Sequence, residues 1–265
     1  MHLLTDAHGK FDGPCVFTLG MFDGVHTAHA RLLRRAKRTA LQKGLPLVVM
    51  TFRKNPLEIL APEHAPRAIQ TDDAKLASLV AAGVDTTVLR TFDNSFAHIE
   101  SSEIIDYIVK TYHPTDWFVG YNNTFGRYGA GTPDILREAG RRLGFKTHVM
   151  PALIYEGEAV SSSRIRAALY SGNMPLVVSL LGRAYSIRGY VDRSGVLVVS
   201  DRLALPAPGS YNISVSGAAY TLRLIPRRIG PPGPPTDAYI PVGRVVLPDG
   251  QPAPMGMKWI VFGGN

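Results

Sequence analysis

Across the first two thirds of the chain, short apolar runs suited to buried strands alternate with amphipathic stretches of helical period. This restricts the fold to a parallel sheet covered by helices, because parallel neighbours need a long crossover and that crossover is usually a helix. Residues 16–19, 47–52, 87–89, 117–119 and 147–152 read as strands. Helices are expected over 29–43, with Leu32, Leu33, Ala36 and Leu41 inward, and over 72–82, 102–111 and 133–143. An α/β unit of this doubly wound kind takes its ligands beyond the carboxyl ends of its strands.

After a helix over 163–170 and a short one ending near Leu181, the texture changes. From Ala184 onward the chain alternates in twos (YSIRGYV, GVLVVS, YNISVSG, YTLRLI, KWIVF) with Pro and Gly between, which predicts a small antiparallel sheet or barrel. The stretch IPRRIGPPGPPTD is too rich in Pro and Gly for a core strand and reads as a stiff surface loop. A length of 265 residues suits two domains, expected at 1–181 and 182–265.

Composition narrows the function classes. No apolar run reaches the roughly 18 residues of a membrane span, and the start MHLLTDAHGKFDG has no apolar signal core, so no membrane partner and a cytoplasmic location are expected. The single cysteine, Cys15, can form no internal disulfide or paired zinc spacing, and CVFTLG makes it a buried strand residue. A formal charge of +8 calls for an anionic partner, nucleotide polyphosphate or nucleic acid. Arg31, Arg34, Arg35, Lys37 and Arg38 lie mostly on one amphipathic helix without interleaved aromatics, so a solvated face is expected rather than a nucleic-acid site. Nothing in the sequence specifies an oligomeric state.

Three segments carry chemistry. In TLGMFDGVHTAH, residues 18–29, a Gly-containing turn joins a buried strand to a basic helix, so backbone N–H groups and the positive helix end meet an anion together. His26 and His29, three apart, can both face that anion and donate to oxygens on which charge develops at phosphorus. The spacing is not the i, i+4 pair of a zinc helix, and no carboxylate stands ready as a third ligand. In VSSSRIRAAL, residues 160–169, serines at a helix start with Arg164 and Arg166 form a compact phosphate clamp, against a bland reading of one capping serine and two solvated arginines. FVGYNNTFGRYGAGT, residues 118–132, is a strand followed by a polar Gly-rich loop able to surround a base or ribose, although loops of this composition are commonly plain connections.

These residues resemble the prokaryotic FAD synthetase family, the bifunctional riboflavin kinases and FMN adenylyltransferases. GMFDGVHTAH resembles its GxFDGxHxGH signature, MTFRKNP its TFxPHP segment, VGYNNTFG its VGxDFxFG loop and VSSSRIR its ISSTxIR clamp. Arg67, Lys75, AGVD at 82–85 and FDNSFA at 92–97 fit the linking stretch, so the likeness runs over about residues 15–192 in one register. It implies a Rossmann-like nucleotidyltransferase domain that adenylylates FMN to FAD with release of pyrophosphate. It further implies His26, His29 and Arg166 as catalytic residues. Gly20, Phe22, Asp23, Gly24, Asn122, Ser162, Ser163 and Arg164 would bind the nucleotide, and Phe52, Asn55, Asn123 and Phe125 the flavin or other acceptor. The histidines and the serine-arginine clamp would hold one triphosphate, with Mg2+ carried by the phosphates of ATP and no dedicated protein ligand.

The departures are specific. Ala28 replaces the family's Gly between the histidines, tolerable if the backbone there is helical. Asn55 replaces a His and Asn123 an aromatic where the acceptor is expected, which keeps open a different acceptor or a different nucleotide such as CTP. A non-catalytic flavin- or nucleotide-binding protein is the third reading. In the second domain LGRAYSIRGYV resembles the opening of the riboflavin kinase barrel, but GVLVVSDRL stands where the family reads GRxLGFPTAN, and KWIVFGGN where a terminal helix would follow. The expectation is a degenerate kinase-like β domain without kinase activity.

Overall fold

The computed structural model of the chain describes residues 1–6, 11–225, 239–246 and 254–263. These residues form two compact units, Met1–Ala61 with Asp72–Ala159, and Pro62–Thr71 with Val160–Asn265. The division differs from the expected one in that the helices between 160 and 181, and a ten-residue excursion from the first unit's chain, are counted with the β domain.

The first unit is built on six strands: β1 (His2–Thr5), β2 (Cys15–Leu19), β3 (Leu47–Phe52), β4 (Thr86–Arg90), β5 (Pro114–Gly120) and β6 (Lys146–Met150). Every pairing is parallel, in the order β1-β4-β3-β2-β5-β6. β2 and β3 are buried along their whole length, as strands covered on both faces must be, which is why they read as continuous apolar runs. The edge strand β1, only partly buried, carries too weak a pattern to be read from sequence. The crossovers include α1 (Thr27–Lys43), α2 (Leu57–Leu60), α3 (Asp72–Ala81), α4 (Asn94–Ala97), α5 (Ser101–Tyr112) and α6 (Pro133–Leu143).

Helix α1 buries Leu32, Leu33, Ala36 and Ala40, and corrects one expectation: Leu41 is 69% exposed. At about 100° per residue Leu41 stands roughly half a turn away from Leu32, and Ala40 takes the inward place. Cys15 is buried, its thiol donates to the Tyr112 carbonyl, and burial pushes its pKa up to about 12, so it is a core residue and not a nucleophile.

A two-stranded hairpin, β7 (Ile154–Tyr155) with β8 (Glu158–Ala159), closes the first unit. The second unit opens with α7 (Ser162–Tyr170) and α8 (Met174–Leu181). It continues as a closed antiparallel barrel of β9 (Ser186–Val191), β10 (Val196–Ser200), β11 (Gly209–Val215), β12 (Ala218–Leu224), β13 (Tyr239–Val246) and β14 (Gly256–Phe262). Alternate residues such as Ile187, Leu197, Val199, Ile213, Leu222 and Ile260 fill its interior, the period-two signature made physical. The sequence reading missed β13 because Pro241 interrupts it. That proline sits at a register shift, where Leu197 faces Gly243 but Val198 faces Pro241, a place where a missing N–H is tolerated. The expected Pro-rich loop, after Ile225, lies outside the described residues.

Candidate active site

The strand order reverses direction at β2. From there the chain runs outward through β3 and β4, then returns to place β5 on the other side of β2. In open parallel sheets the crevice at such a switch point, beyond the carboxyl ends, is where ligands bind. Its two walls are the turn after β2, residues 20–26, and the loop after β5, residues 121–132.

The turn after β2 is strained and packed. Phe22, Gly24 and Val25 have φ of 49°, 83° and 39°, a conformation that a β-branched valine rarely adopts. Phe22 and Val25 are buried in the core cluster beneath α1, and that burial offsets the strain. The turn is closed by the Val25 N–H, which donates to the Phe22 carbonyl at 3.2 Å. Gly20 sits close beside it: a Cβ there would come 3.2 Å from the Phe22 ring, which would have to give slightly. Asp23 is buried, 7% exposed.

His26 caps α1 in an extended conformation, its Nδ1 accepting the His29 backbone N–H at 3.3 Å. Because Nδ1 accepts, the neutral ring of His26 carries its proton on Nε2. The two imidazoles stack, centroids 3.7 Å apart and planes 13° apart, and Phe22 packs against His29 at 5.0 Å. His29 Nδ1 is buried without a hydrogen-bond partner. Burial first, and the neighbouring His26 second, hold the His29 pKa well below its ordinary value, so the ring is neutral at neutral pH. The first turn of α1 holds no acidic residue, leaving the positive helix end uncompensated by the helix itself. Ala28 lies within the helix, where its methyl group is accommodated without strain.

Two side chains fix this turn from flanking strands. Thr51, wholly buried near the end of β3, donates its hydroxyl to the Met21 carbonyl at 2.9 Å. From the other wall Asn123 Nδ2 donates to the Leu19 carbonyl at 3.2 Å. Thr51 escaped the sequence reading, although a polar residue inside the buried run LVVMTF was a signal for it.

The remaining expected acceptor residues are placed as follows. Asn55 Oδ1 accepts the Leu57 N–H and its own N–H is met by Glu58, so the residue closes the first turn of α2. Phe52 packs edge-on with Phe92 and Phe96, and its carbonyl accepts from buried Lys75. Phe125, 9% exposed, lies against Trp117 in the core, and Asn122 is exposed on the loop.

The serine-arginine segment stands on the second unit. Ser161 is the cap of α7, accepting the Arg164 N–H, so Ser162 and Ser163 occupy the first turn. Arg166 is 8% exposed and its Nε donates to the Arg67 carbonyl at 2.7 Å, within the same unit. Ser163 is exposed, and Ser162 and Arg164 are partly so. Among the described residues no group of three or more His, Cys, Asp or Glu side chains is arranged to hold a metal ion, and no helix is long and apolar enough to cross a membrane.

A family-wide sequence profile described as FAD synthetase matches residues 8–164. The bifunctional riboflavin kinase/FMN adenylyltransferase of Escherichia coli K12 is 32% identical over 234 residues, 82% of this chain and 74% of that protein. The Bacillus subtilis 168 protein of the same name is 30% identical over 238 residues, 83% of this chain and 72% of its own. A crystal structure of a protein described as a macrolide-efflux protein from Streptococcus pneumoniae has the same fold, with a TM-score of 0.80 and 24% identity over 99% of this chain and 90% of that one. With a profile match over more than half its length and these relatives across most of the remainder, the chain belongs to the FAD synthetase family.

Proposed function

We propose that this protein is an FMN adenylyltransferase, transferring the adenylyl group of ATP to the phosphate of FMN. A phosphate oxygen of FMN attacks the α-phosphorus, the bond to the bridging α–β oxygen breaks, and FAD and pyrophosphate form. The acceptor phosphate is already ionised near neutral pH, so the reaction needs no general base. Catalysis is then positioning with charge stabilisation. The observation that carries the reading is the stacked histidine pair at the start of α1, His26 buried and His29 half-buried, at the switch point of a parallel sheet.

In this reading His26 and His29 act as hydrogen-bond donors to the oxygens of the α-phosphate. Gly20, Phe22, Asp23 and Gly24 shape the nucleotide side, and Asn122 on the β5 loop contacts nucleotide or flavin. Ser162, Ser163, Arg164 and Arg166 hold ATP phosphates. Mg2+ enters with ATP as part of the substrate. Asn55 and Asn123 each have a local structural use, a helix start and a tether to Leu19, so neither departure argues for another acceptor or for CTP.

The barrel is read as lacking riboflavin kinase activity. Between β9 and β10 the chain makes a tight turn, in which Asp192 accepts the N–H groups of Ser194 and Val196, and strand β10 begins at once. The segment GVLVVSDRL, which stands where the resembling family carries a phosphate-cradling loop, is mostly strand β10. The test supplies the protein with ATP, Mg2+ and either FMN or riboflavin. FAD and pyrophosphate are expected from FMN and nothing from riboflavin. No product from FMN overturns the adenylyltransferase reading, and FMN formed from riboflavin overturns the second part.

A further inference from the structure

The loop after β5 carries Tyr128, which is 90% exposed, more than any other large apolar side chain among the described residues. Its backbone is in the left-handed region, φ 54° and ψ 18°. The same loop uses glycine at two other positive-φ positions, Gly126 at 75° and Gly129 at 68°, yet places an aromatic residue at 128. A glycine there would be free of strain, so the ring is kept against a local conformational cost of the kind that gathers at ligand sites.

The support beneath this ring is rigid. A Cβ on Gly126 would come 2.7 Å from the Ser101 backbone, and one on Gly131 2.6 Å from the Phe125 ring. Phe125 and Gly131 exchange both backbone hydrogen bonds, at 3.1 and 2.8 Å. Arg127 donates its N–H to the Ile99 carbonyl and pairs with Glu100 at 3.2 Å, and its guanidinium lies 5.0 Å from the centre of the Tyr128 ring. The tyrosine is therefore an aromatic ring faced by a cation and otherwise open to water, on the loop that follows β5 at the switch point.

We propose that Tyr128 is a stacking residue that receives the planar heteroaromatic ring of a substrate, the isoalloxazine of FMN or the adenine of ATP. The proposal rests on the adenylyltransferase reading for the identity of those rings. Stacking supplies affinity with little hydrogen-bond selectivity, because every such ring presents a π face. An aromatic residue is required at 128, and the hydroxyl group is not.

The experiment measures the dissociation constants of FMN alone and of ATP alone for the wild-type full chain and for Tyr128→Ala, Tyr128→Phe and Tyr128→Gly, with steady-state kinetics beside them. Tyr128→Ala is expected to weaken one ligand about tenfold, with kcat within about twofold and wild-type affinity restored in Tyr128→Phe. FMN as the affected ligand identifies the flavin ring, and its fluorescence quenching on binding falls with it. ATP as the affected ligand identifies adenine. Tyr128→Gly relieves the strain, so it melts at a higher temperature than the wild type while losing the same affinity. Both affinities within twofold of wild type in Tyr128→Ala and Tyr128→Gly overturn the proposal, as does a Tyr128→Ala that melts lower and loses both affinities and kcat together. Because binding is read without turnover, a protein that binds these ligands but forms no FAD defeats the functional reading and leaves the stacking test standing.

Discussion

His26 lies flat against His29, ring centroids 3.7 Å apart, while its Nδ1 accepts the His29 backbone N–H. Two cations cannot share that spacing, so at most one ring of the pair is charged at a time, and burial keeps His29 neutral.

A pH dependence of stability follows. Burial and then His26 depress the His29 pKa from 6.5 in the folded state, so below about pH 6.5 the unfolded chain takes up a proton that the folded one resists. This contribution therefore weakens the fold as pH drops, by up to ~1.4 kcal/mol per pH unit until the folded pKa is reached. Melting curves between pH 7.5 and 5 are expected to show a falling Tm, with the slope reduced in His29→Gln.

Replacing either imidazole removes a donor to the developing phosphate charge. His26→Ala and His29→Ala are each expected to lower kcat for FAD formation by about 10² to 10³, while ATP binding falls far less. A stopped pyrophosphate assay with parallel calorimetry separates the two effects, and a near wild-type kcat in either variant contradicts the assignment.

Thr51 and Asn123 grip successive parts of one turn, at the carbonyls of Met21 and Leu19. Thr51→Val removes this bond to the Met21 carbonyl and is expected to cost about 1 kcal/mol by denaturant titration. Asn123→Ala gives up its tether from the other wall. Its predicted kinetic signature is a fall in kcat/KM of similar size whether ATP or FMN is varied, whereas a direct acceptor contact would move the KM for FMN alone.

Arg166 is buried with Nε bonded to the Arg67 carbonyl. Lysine has no second nitrogen at that point on its stem, so Arg166→Lys cannot keep the carbonyl bond and reach a phosphate as well. The KM for ATP is expected to rise at least tenfold in this variant, with the KM for FMN much less affected.

Away from the site, Asp116 is 2% exposed and is met by Lys43, by His148 at 2.8 Å and by Thr115 at 2.9 Å. Burial raises its pKa, but the bonds from Lys43, His148 and Thr115 outweigh this and the net shift is downward. Asp116→Asn strips the charge from this cluster, whose Lys43 partner is half-exposed, and is expected to cost about 1–3 kcal/mol of stability. Chemical denaturation at pH 7 measures it, with kcat as the control for a site left intact.

Residue patterns alone were enough for the alternation of strand and helix, the buried character of β2 and β3, the change to a barrel after Ala184, and the turn that carries His26 and His29. Each of these is written into neighbouring residues, as a hydrophobic period or as a short motif whose parts act on one another through local backbone geometry. The edge strand β1 and the proline-bearing β13 were not legible, because each depends on what packs alongside, whereas the outward place of Leu41 follows from helical period and was misassigned. Tertiary structure likewise decided that Asn55 starts a helix, that Thr51 and Asn123 brace the histidine turn, and that His29 is buried deeply enough to stay neutral. Hydrogen bonds between residues 30 or 104 positions apart, and the desolvation of a ring, exist only once strands distant in the chain have been laid side by side.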